Sequence, residues 1–300
     1  MVIGKQVAKY SSVILLVLFL GIQGTSAAPS TGGELILPQP SPGKTTVPLV
    51  NGYETLIYKG PGGMQMFCYL HVPAGYNPQR KYPLVLVMQG NGEVANPKMS
   101  LAQNRSHLLN KYYAQVWTSA AVQDKWPSFI VIPQLNAPNR YVNVPGSTGS
   151  YTMSAQPTPS LSAAKAIVDI LQRDYSGIDS NRIYITGLSM GAYGVWDAIE
   201  RWPNYFAAAA PLSGAGDPSK AAVLVHLPIW AFHGAKDTTV PVSGSRNMIK
   251  AIIKAGGHPR YTELPNETHD LWDPGKVYSP QNDPAFFNWL FSQKRPTNNR

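Results

Sequence analysis

The chain has 300 residues, a length that fits one large α/β domain or two small ones, and its 44% hydrophobic and 10% aromatic residues are enough for a globular core. Its formal net charge is +9, and Lys5 and Lys9 lie within the first 27 residues, where there are no acids. The rest of the chain has 23 lysine and arginine residues against 16 acids, a net charge of +7. Because these basic residues are scattered rather than clustered, we expect no nucleic-acid partner.

The N-terminus has the pattern of a secretory signal peptide. Lys5 and Lys9 precede an apolar run over residues 13–20, and small residues follow at positions 25–28. The run is too short to span a bilayer, which needs about 20 apolar residues. We therefore predict a cleaved signal peptide over residues 1–27, secretion to the extracellular space or the periplasm, and no stable membrane anchor.

Residues 28–50 are rich in proline and glycine and predict an extended lead-in to a domain over residues 51–295. In that domain short apolar strands alternate with helical patterns, which favours a mostly parallel central sheet with helices on both faces. The predicted strands are residues 55–58, 66–72, 84–88, 129–133, 183–186, 206–210, 229–232 and 261–264. The predicted helices are residues 161–175, 192–202 and 248–253.

The single cysteine, Cys68, excludes an intrachain disulfide and a zinc cluster of thiolates. It lies in an alternating apolar stretch, so we interpret it as a small buried hydrophobic residue. We expect neither a metal nor another cofactor.

Residues 134–160 form a connection rich in Pro, Gly, Ser, Thr and Asn that is long for a compact domain. The segment joins the end of the predicted strand 129–133 to the next helix. Open α/β sheets bind ligands at the carboxyl ends of their strands, so we expect this loop to form a lid or a rim.

Residues 187–191 read Gly-Leu-Ser-Met-Gly, the nucleophile-elbow pattern in which a serine sits on a strained turn between a strand and a helix. The flanking glycines let the helix and the strand pass closely without a clash at Cβ. An ordinary tight turn is the alternative. The predicted strand before the motif and the predicted helix after it favour Ser189 as a nucleophile.

A serine hydroxyl is a poor nucleophile at neutral pH and needs a base. In folds with this elbow, an acid and then a histidine follow the serine along the chain. Of six histidines, His269 alone lies in a loop after the last predicted strand. Asp237, after the predicted strand 229–232, is the expected acid that orients it, with Asp217 as the alternative. His233 ends that strand and is expected to pack or to support its turn.

The oxyanion that forms during acyl transfer needs hydrogen-bond donors. One is expected to be the backbone N–H of Met190, directly after the nucleophile. The second should come from the glycine-containing loop after the predicted strand 84–88, where we assign it to the N–H of Asn91.

Three aromatic residues are predicted to bind substrate, because their rings can line a pocket for an acyl group or the face of a sugar. They are Trp272, Tyr193 and Tyr141. Trp272 lies three residues after His269 in the chain, which favours it as a pocket residue.

Residues 182–194, from Arg-Ile-Tyr-Ile-Thr through the elbow to Ala-Tyr-Gly, resemble the corresponding segment of a group of secreted α/β-hydrolase esterases. This group joins polyhydroxybutyrate-depolymerase-like and feruloyl-esterase-like enzymes with phospholipase/carboxylesterase-like proteins, often described as predicted peptidases. The resemblance continues through residues 229–241 and 268–272. It implies the α/β-hydrolase fold for about residues 55–290.

The chain departs from that group in two places. Gln89 precedes Gly90 where the group usually has histidine before glycine, which changes a side chain of the oxyanion loop but not its backbone donors. Residues 136–159 have no clear counterpart, so the resemblance does not specify a substrate.

Together these residues predict a secreted serine carboxylic-ester hydrolase that forms an acyl-enzyme. Its expected partner is an ester substrate. The substrate is either a polymer, namely an esterified polysaccharide or a polyester, or a small ester. A serine peptidase of the same fold is the alternative. A non-catalytic binding protein is a third hypothesis, which the complete set of Ser189, Asp237 and His269 disfavours.

Overall fold

The structure is a computed structural model that describes residues 33–38, 48–281 and 284–295. The predicted signal peptide, residues 1–27, lies outside the described residues, and so does most of the predicted lead-in over residues 28–50. Within the described ranges, no helix has both the length and the hydropathy of a transmembrane segment.

Nine strands of the described chain form one sheet in the order β1-β2-β3-β5-β4-β6-β7-β8-β9. The strands are β1 (Glu34–Ile36), β2 (Glu54–Lys59), β3 (Gln65–His71), β4 (Tyr82–Met88), β5 (Phe129–Gln134), β6 (Ile178–Leu188), β7 (Ala208–Leu212), β8 (Trp230–Gly234) and β9 (Arg260–Leu264). The three pairs β1–β2, β2–β3 and β3–β5 are antiparallel. The remaining five pairs, from β5–β4 to β8–β9 in the order given, are parallel. Each of the eight predicted strands overlaps an observed one, and β1 was not predicted.

The helices are α1 (Leu101–Leu109), α2 (Tyr112–Gln115), α3 (Ala120–Gln123), α4 (Pro159–Asp174), α5 (Met190–Arg201), α6 (Ser243–Lys254) and α7 (Ala285–Ser292). Residues of α4, α5 and α6 pack in one core cluster, and residues of α1, α2 and α7 pack in a second. The two clusters lie on opposite faces of the sheet, since side chains alternate between them along the central strands. This arrangement confirms the predicted fold class.

Strand β4 shows why the centre of the sheet is uniformly apolar. All seven of its residues are buried. Leu84, Leu86 and Met88 belong to the first core cluster, whereas Val85 and Val87 belong to the second. A parallel strand covered by helices on both faces has no polar side, so its sequence reads as a continuous apolar run.

The turn from β6 into α5 places Ser189 between a strand that ends at Leu188 and a helix that begins at Met190. The backbone φ of Ser189 is 53°, which is strained for a residue with a Cβ. A Cβ on Gly191 would overlap the backbone carbonyls of Met88 and Gln89. The helix therefore crosses β4 at a distance that only glycine permits.

We predict that Gly191→Ala destabilises the protein by about 2 kcal/mol or more, because the added methyl group meets backbone atoms that cannot move aside cheaply. Gly146→Ala is the matched control, since a Cβ at that position meets nothing within 4 Å. Chemical denaturation of both variants measures the difference. Equal unfolding midpoints for the two variants would show that the crossing of α5 and β4 is not as tight as described.

Candidate active site

The three residues predicted to act together follow three different strands of the sheet. Ser189 follows β6, Asp237 follows β8 and His269 follows β9. The strands β6 to β9 are parallel, so their carboxyl ends lie at one edge of the sheet. The fold thus brings together side chains that are far apart in the sequence.

The side chains form one hydrogen-bonded chain. Nε2 of His269 lies 2.8 Å from Oγ of Ser189, and Nδ1 lies 2.7 Å from Oδ2 of Asp237. Because an ionised carboxylate only accepts, the proton of the neutral imidazole is on Nδ1 and is donated to Asp237. Nε2 is then free to accept the proton of the Ser189 hydroxyl. This is the arrangement in which imidazole can act as a general base toward a serine.

Asp237 is the most enclosed member of this set, with a side chain that is 0% exposed. Its Oδ1 accepts the backbone N–H groups of Thr239 and Val240 at 2.8 and 2.9 Å. Burial opposes ionisation of the carboxyl. Hydrogen bonds from His233, His269 and the Val240 N–H outweigh it and hold the pKa of Asp237 well below its ordinary value.

His233 is a second histidine that contacts the carboxylate of Asp237. Its Nε2 lies 3.2 Å from Oδ2 of Asp237 and 3.1 Å from the carbonyl oxygen of Val240, both of which are acceptors. Nε2 must therefore carry the proton, and Nδ1 accepts the hydroxyl of Ser245 at 2.8 Å. The sequence predicted that His233 packs or supports its turn, but it gave no indication of this contact with Asp237.

Ser213 holds the loop that carries the histidine, and sequence analysis did not find it. It is fully buried, and its hydroxyl donates to the carbonyl oxygen of His269 at 3.0 Å. Its φ of 56° turns the chain directly after β7, next to the elbow. A positive φ at a serine leaves no recognisable trace in a single sequence.

The two predicted oxyanion donors lie on the walls of a cavity that also contains Ser189. Met190 is the first residue of α5, and Asn91 begins a single 3₁₀ turn, Asn91–Glu93. The first N–H groups of a helical segment have no acceptor within it. Both N–H groups are therefore available to a ligand at Ser189. Gln89, which departs from the esterase pattern, is fully buried, and its amide has no hydrogen-bond partner among the described residues.

Two cavities meet at Ser189. The larger has a volume of about 390 Å³ and is lined by Trp272 and His269, whose rings pack edge to face with centroids 5.2 Å apart. The smaller has a volume of about 200 Å³ and is lined in part by Tyr193. A still larger cavity of about 930 Å³ lies at the amino ends of β6 and β7, the opposite edge of the sheet from Ser189.

The aromatic residues predicted to bind substrate have three different environments. Trp272 faces the larger cavity. Tyr193 lines the smaller one, but its hydroxyl lies 2.8 Å from the Gly146 carbonyl and 2.7 Å from the Thr148 carbonyl, so it anchors a loop. Tyr141 lines neither cavity. Its ring is fully buried and its hydroxyl donates to the Pro133 carbonyl, which corrects the prediction that it binds substrate.

Asp217, the alternative acid, binds the long loop over residues 134–160. Its Oδ2 accepts the Met153 N–H at 2.7 Å, and its Oδ1 accepts the N–H and the hydroxyl of Ser219. Burial alone would raise the pKa of Asp217. The hydrogen bonds from these donors outweigh the effect of burial, so the pKa of Asp217 lies below its ordinary value. Within the described residues its contacts do not include His269, so Asp237 is the acid that the structure places beside the imidazole.

The chain matches one protein family, and it is similar to known proteins in sequence and in structure. A family described as Phospholipase/Carboxylesterase matches residues 154–275. The chain is 26% identical over 214 residues to a bifunctional acetylxylan esterase/xylanase of Neocallimastix patriciarum. It is 30% identical over 222 residues to poly(3-hydroxyalkanoate) depolymerase C of Paucimonas lemoignei. These alignments cover 68% and 73% of this chain but only 28% and 45% of the two relatives.

A crystal structure of a thermostable esterase matches this chain with a TM-score of 0.67 at 33% sequence identity. The match covers 82% of this chain and 64% of that one. With the family match and the mostly parallel sheet, it confirms the α/β-hydrolase fold and the resemblance to the carboxylesterase and depolymerase group.

The lowered pKa of Asp237 predicts a pH dependence of stability. A group whose pKa is lower in the folded state stabilises the fold fully above its unfolded pKa, about 3.9 for aspartate. That contribution is lost as the pH falls toward the folded pKa. The difference in unfolding free energy between the native protein and Asp237→Asn should therefore narrow as the pH is lowered from about 6 to about 3. Denaturant titrations across this range measure it, and a constant difference would contradict an ionised Asp237.

Proposed function

We propose that this chain, an α/β-hydrolase, is a secreted serine carboxylic-ester hydrolase. Ser189 is its nucleophile, His269 its general base and Asp237 the acid that orients the imidazole. The observation that carries the proposal is the continuous hydrogen-bonded chain from Ser189 Oγ through His269 to Asp237. Secretion is supported by the charged, apolar and small-residue pattern of the first 28 residues.

In the first half of the reaction, His269 accepts the hydroxyl proton as Ser189 Oγ bonds to the carbonyl carbon of the ester. The carbonyl oxygen becomes an oxyanion, which the N–H groups of Met190 and Asn91 stabilise. Loss of one such donor costs about 3–4 kcal/mol of transition-state stabilisation in a serine protease. The imidazolium then gives its proton to the alkoxy oxygen, the alcohol leaves, and the acyl group remains on Ser189.

In the second half, His269 takes a proton from water, and the resulting hydroxide attacks the acyl carbon. The tetrahedral intermediate collapses, Ser189 recovers its proton from the imidazolium, and the carboxylic acid leaves. In both halves the imidazole becomes positively charged beside Asp237. The buried, ionised carboxylate stabilises that charge at the moment it forms.

We propose that the alcohol part of the substrate belongs to a polymer. Trp272 offers a flat apolar face beside His269, suited to a sugar ring or a polyester backbone. The two curated relatives are named for acetylated xylan and for poly(3-hydroxyalkanoate), an ester-bearing polysaccharide and a polyester. Small soluble esters should also react, since the site needs only one ester group at Ser189.

A serine peptidase of the same fold is the second candidate, because the same three side chains can cleave amides. Amide cleavage also requires protonation of the leaving nitrogen and, as a rule, several subsites that hold the peptide. The three proteins reported above with 26–33% identity to this chain are named as esterases and as a polyester depolymerase, which favours esters.

The nucleophile is tested by covalent labelling. We predict that a fluorophosphonate labels Ser189 and that Ser189→Ala abolishes both labelling and hydrolysis of 4-nitrophenyl esters. Peptide mapping by mass spectrometry locates the label. Ser213→Ala is the control for the site of labelling: the label should still be on Ser189, and the labelling rate should fall only as far as loss of the Ser213 hydroxyl loosens the His269 loop. Labelling at Ser213 would overturn the assignment, and faster cleavage of peptide anilides than of esters would favour the peptidase.

The acid is tested by paired substitutions. Asp237→Asn should lower kcat severely and leave KM nearly unchanged, because the carboxylate is needed most when the imidazolium forms. The equivalent change in a serine protease lowers kcat about 10⁴-fold. Asp217→Asn should retain most of kcat, since Asp217 contacts a loop rather than His269. Steady-state kinetics of both variants distinguish the two acids. A large loss of kcat in Asp217→Asn, with a nearly unchanged kcat in Asp237→Asn, would reverse the assignment.

A further inference from the structure

The two cavities that meet at Ser189 differ in charge. Among the described residues that line the smaller one, Arg140 is the only charged side chain. The larger cavity is lined by three acids and one lysine, namely Glu93, Asp270, Asp273 and Lys111. A ligand that extends from Ser189 into both cavities therefore meets positive charge on one side and net negative charge on the other.

The chemistry of ester cleavage assigns the two halves of the substrate to the two cavities. The imidazolium must protonate the alkoxy oxygen that leaves, so the alcohol lies on the side of His269. His269 lines the larger cavity and does not line the smaller one. The acyl group therefore lies in the smaller cavity, beside the oxyanion donor Met190.

Arg140 is free to bind a ligand. The structure describes nine arginines, and eight of them form an ion pair, a side-chain hydrogen bond or a contact with an aromatic ring. Among the described residues, the only hydrogen bond of Arg140 is made by its backbone carbonyl, which accepts the hydroxyl of Thr158. Its side chain is partly exposed and lines the cavity at Ser189 without a protein partner in the described chain.

The other walls of the smaller cavity limit the acyl group. Val142, Val144 and Val240 contribute apolar surface to the cavity that Arg140 and Ser189 also line. A volume of about 200 Å³ holds roughly six or seven water molecules at about 30 Å³ each, so the acyl group is short. A guanidinium presents a planar fork of N–H donors that matches a carboxylate in charge and in geometry.

We propose that the smaller cavity binds a short acyl group with a carboxylate at its far end, held by Arg140. The preferred substrates are then half-esters of short dicarboxylic acids. This inference rests on the proposed ester hydrolysis at Ser189. A carboxylate on the alcohol part is disfavoured, because it would face Asp270 and Asp273 in the larger cavity.

The test compares three benzyl-type esters. Monobenzyl succinate has a carboxylate on the acyl part, 4-carboxybenzyl butanoate has one on the alcohol part, and benzyl butanoate has none. The variants are Arg140→Met, which removes the charge, and Arg140→Lys, which keeps it without the planar fork. Arg173→Met is the matched control, since Arg173 pairs with Asp174 on the surface and lines neither cavity. The quantity measured is the ratio of kcat/KM for monobenzyl succinate to that for benzyl butanoate.

We expect this ratio to fall about tenfold in Arg140→Met, the effect of losing one hydrogen bond to a charged group. It should recover in part in Arg140→Lys and stay unchanged in Arg173→Met. In the native enzyme 4-carboxybenzyl butanoate should be a poorer substrate than benzyl butanoate. A ratio that is the same in Arg140→Met and in the native enzyme would overturn the inference.

The failure of the inference is distinguishable from failure of the proposed function. Suppose that the native enzyme hydrolyses benzyl butanoate, that Ser189→Ala does not, and that the ratio is the same with and without Arg140. The proposed function then stands, and only the inference about Arg140 is overturned. If the native protein hydrolyses none of the three esters, both fall.

Discussion

The ionised carboxylate of Asp237 is withdrawn from water, and protein donors replace the hydration that it has lost. These donors come from three parts of the chain: the end of β8, the turn after it and the loop after β9. They are the ring N–H groups of His233 and His269 and the backbone N–H groups of Thr239 and Val240. A buried carboxylate with fewer donors would become protonated or leave the site. Ionisation of Asp237 and the position of His269 therefore depend on each other.

A second constraint fixes the serine against this acid and histidine. Gly191 lets α5 cross directly over the end of β4, and the tight turn holds Ser189 at a positive φ. The same crossing brings the end of β4 and the following Asn91 turn next to the start of α5, so the two predicted oxyanion donors come from adjacent elements. Ser213 then ties the His269 loop to the strand beside the elbow. Strain at two serines is compensated by the packing of the sheet edge around them.

Sequence patterns were sufficient for the parallel sheet and for the elbow, because both are encoded locally. The apolar run of β4 and the glycines around Ser189 are visible without any tertiary information. Burial of loop aromatics is not encoded in this way, and Tyr141 was therefore misassigned. Helix α7 was missed because it has only eight residues, and with Asn288 and Ser292 as its only polar side chains its short apolar sequence cannot be distinguished from a strand by periodicity. Strand β1 has three residues, and only its pairing with β2 defines it.

The long loop that lines part of the smaller cavity is held by helix α5, the helix that begins at Met190, one of the two predicted oxyanion donors. Arg201 pairs with Asp197 and donates to the Ser154 carbonyl, and the hydroxyl of Tyr151 reaches Asp197. Burial raises the pKa of Asp197, and the hydrogen bond and charge of Arg201 oppose that rise. Arg140 lies in the same loop, before these anchors. The position of Arg140, which we propose to bind the acyl group, is thus tied to the helix that begins beside the proposed nucleophile. In this proposal substrate selection and catalysis share one structural support.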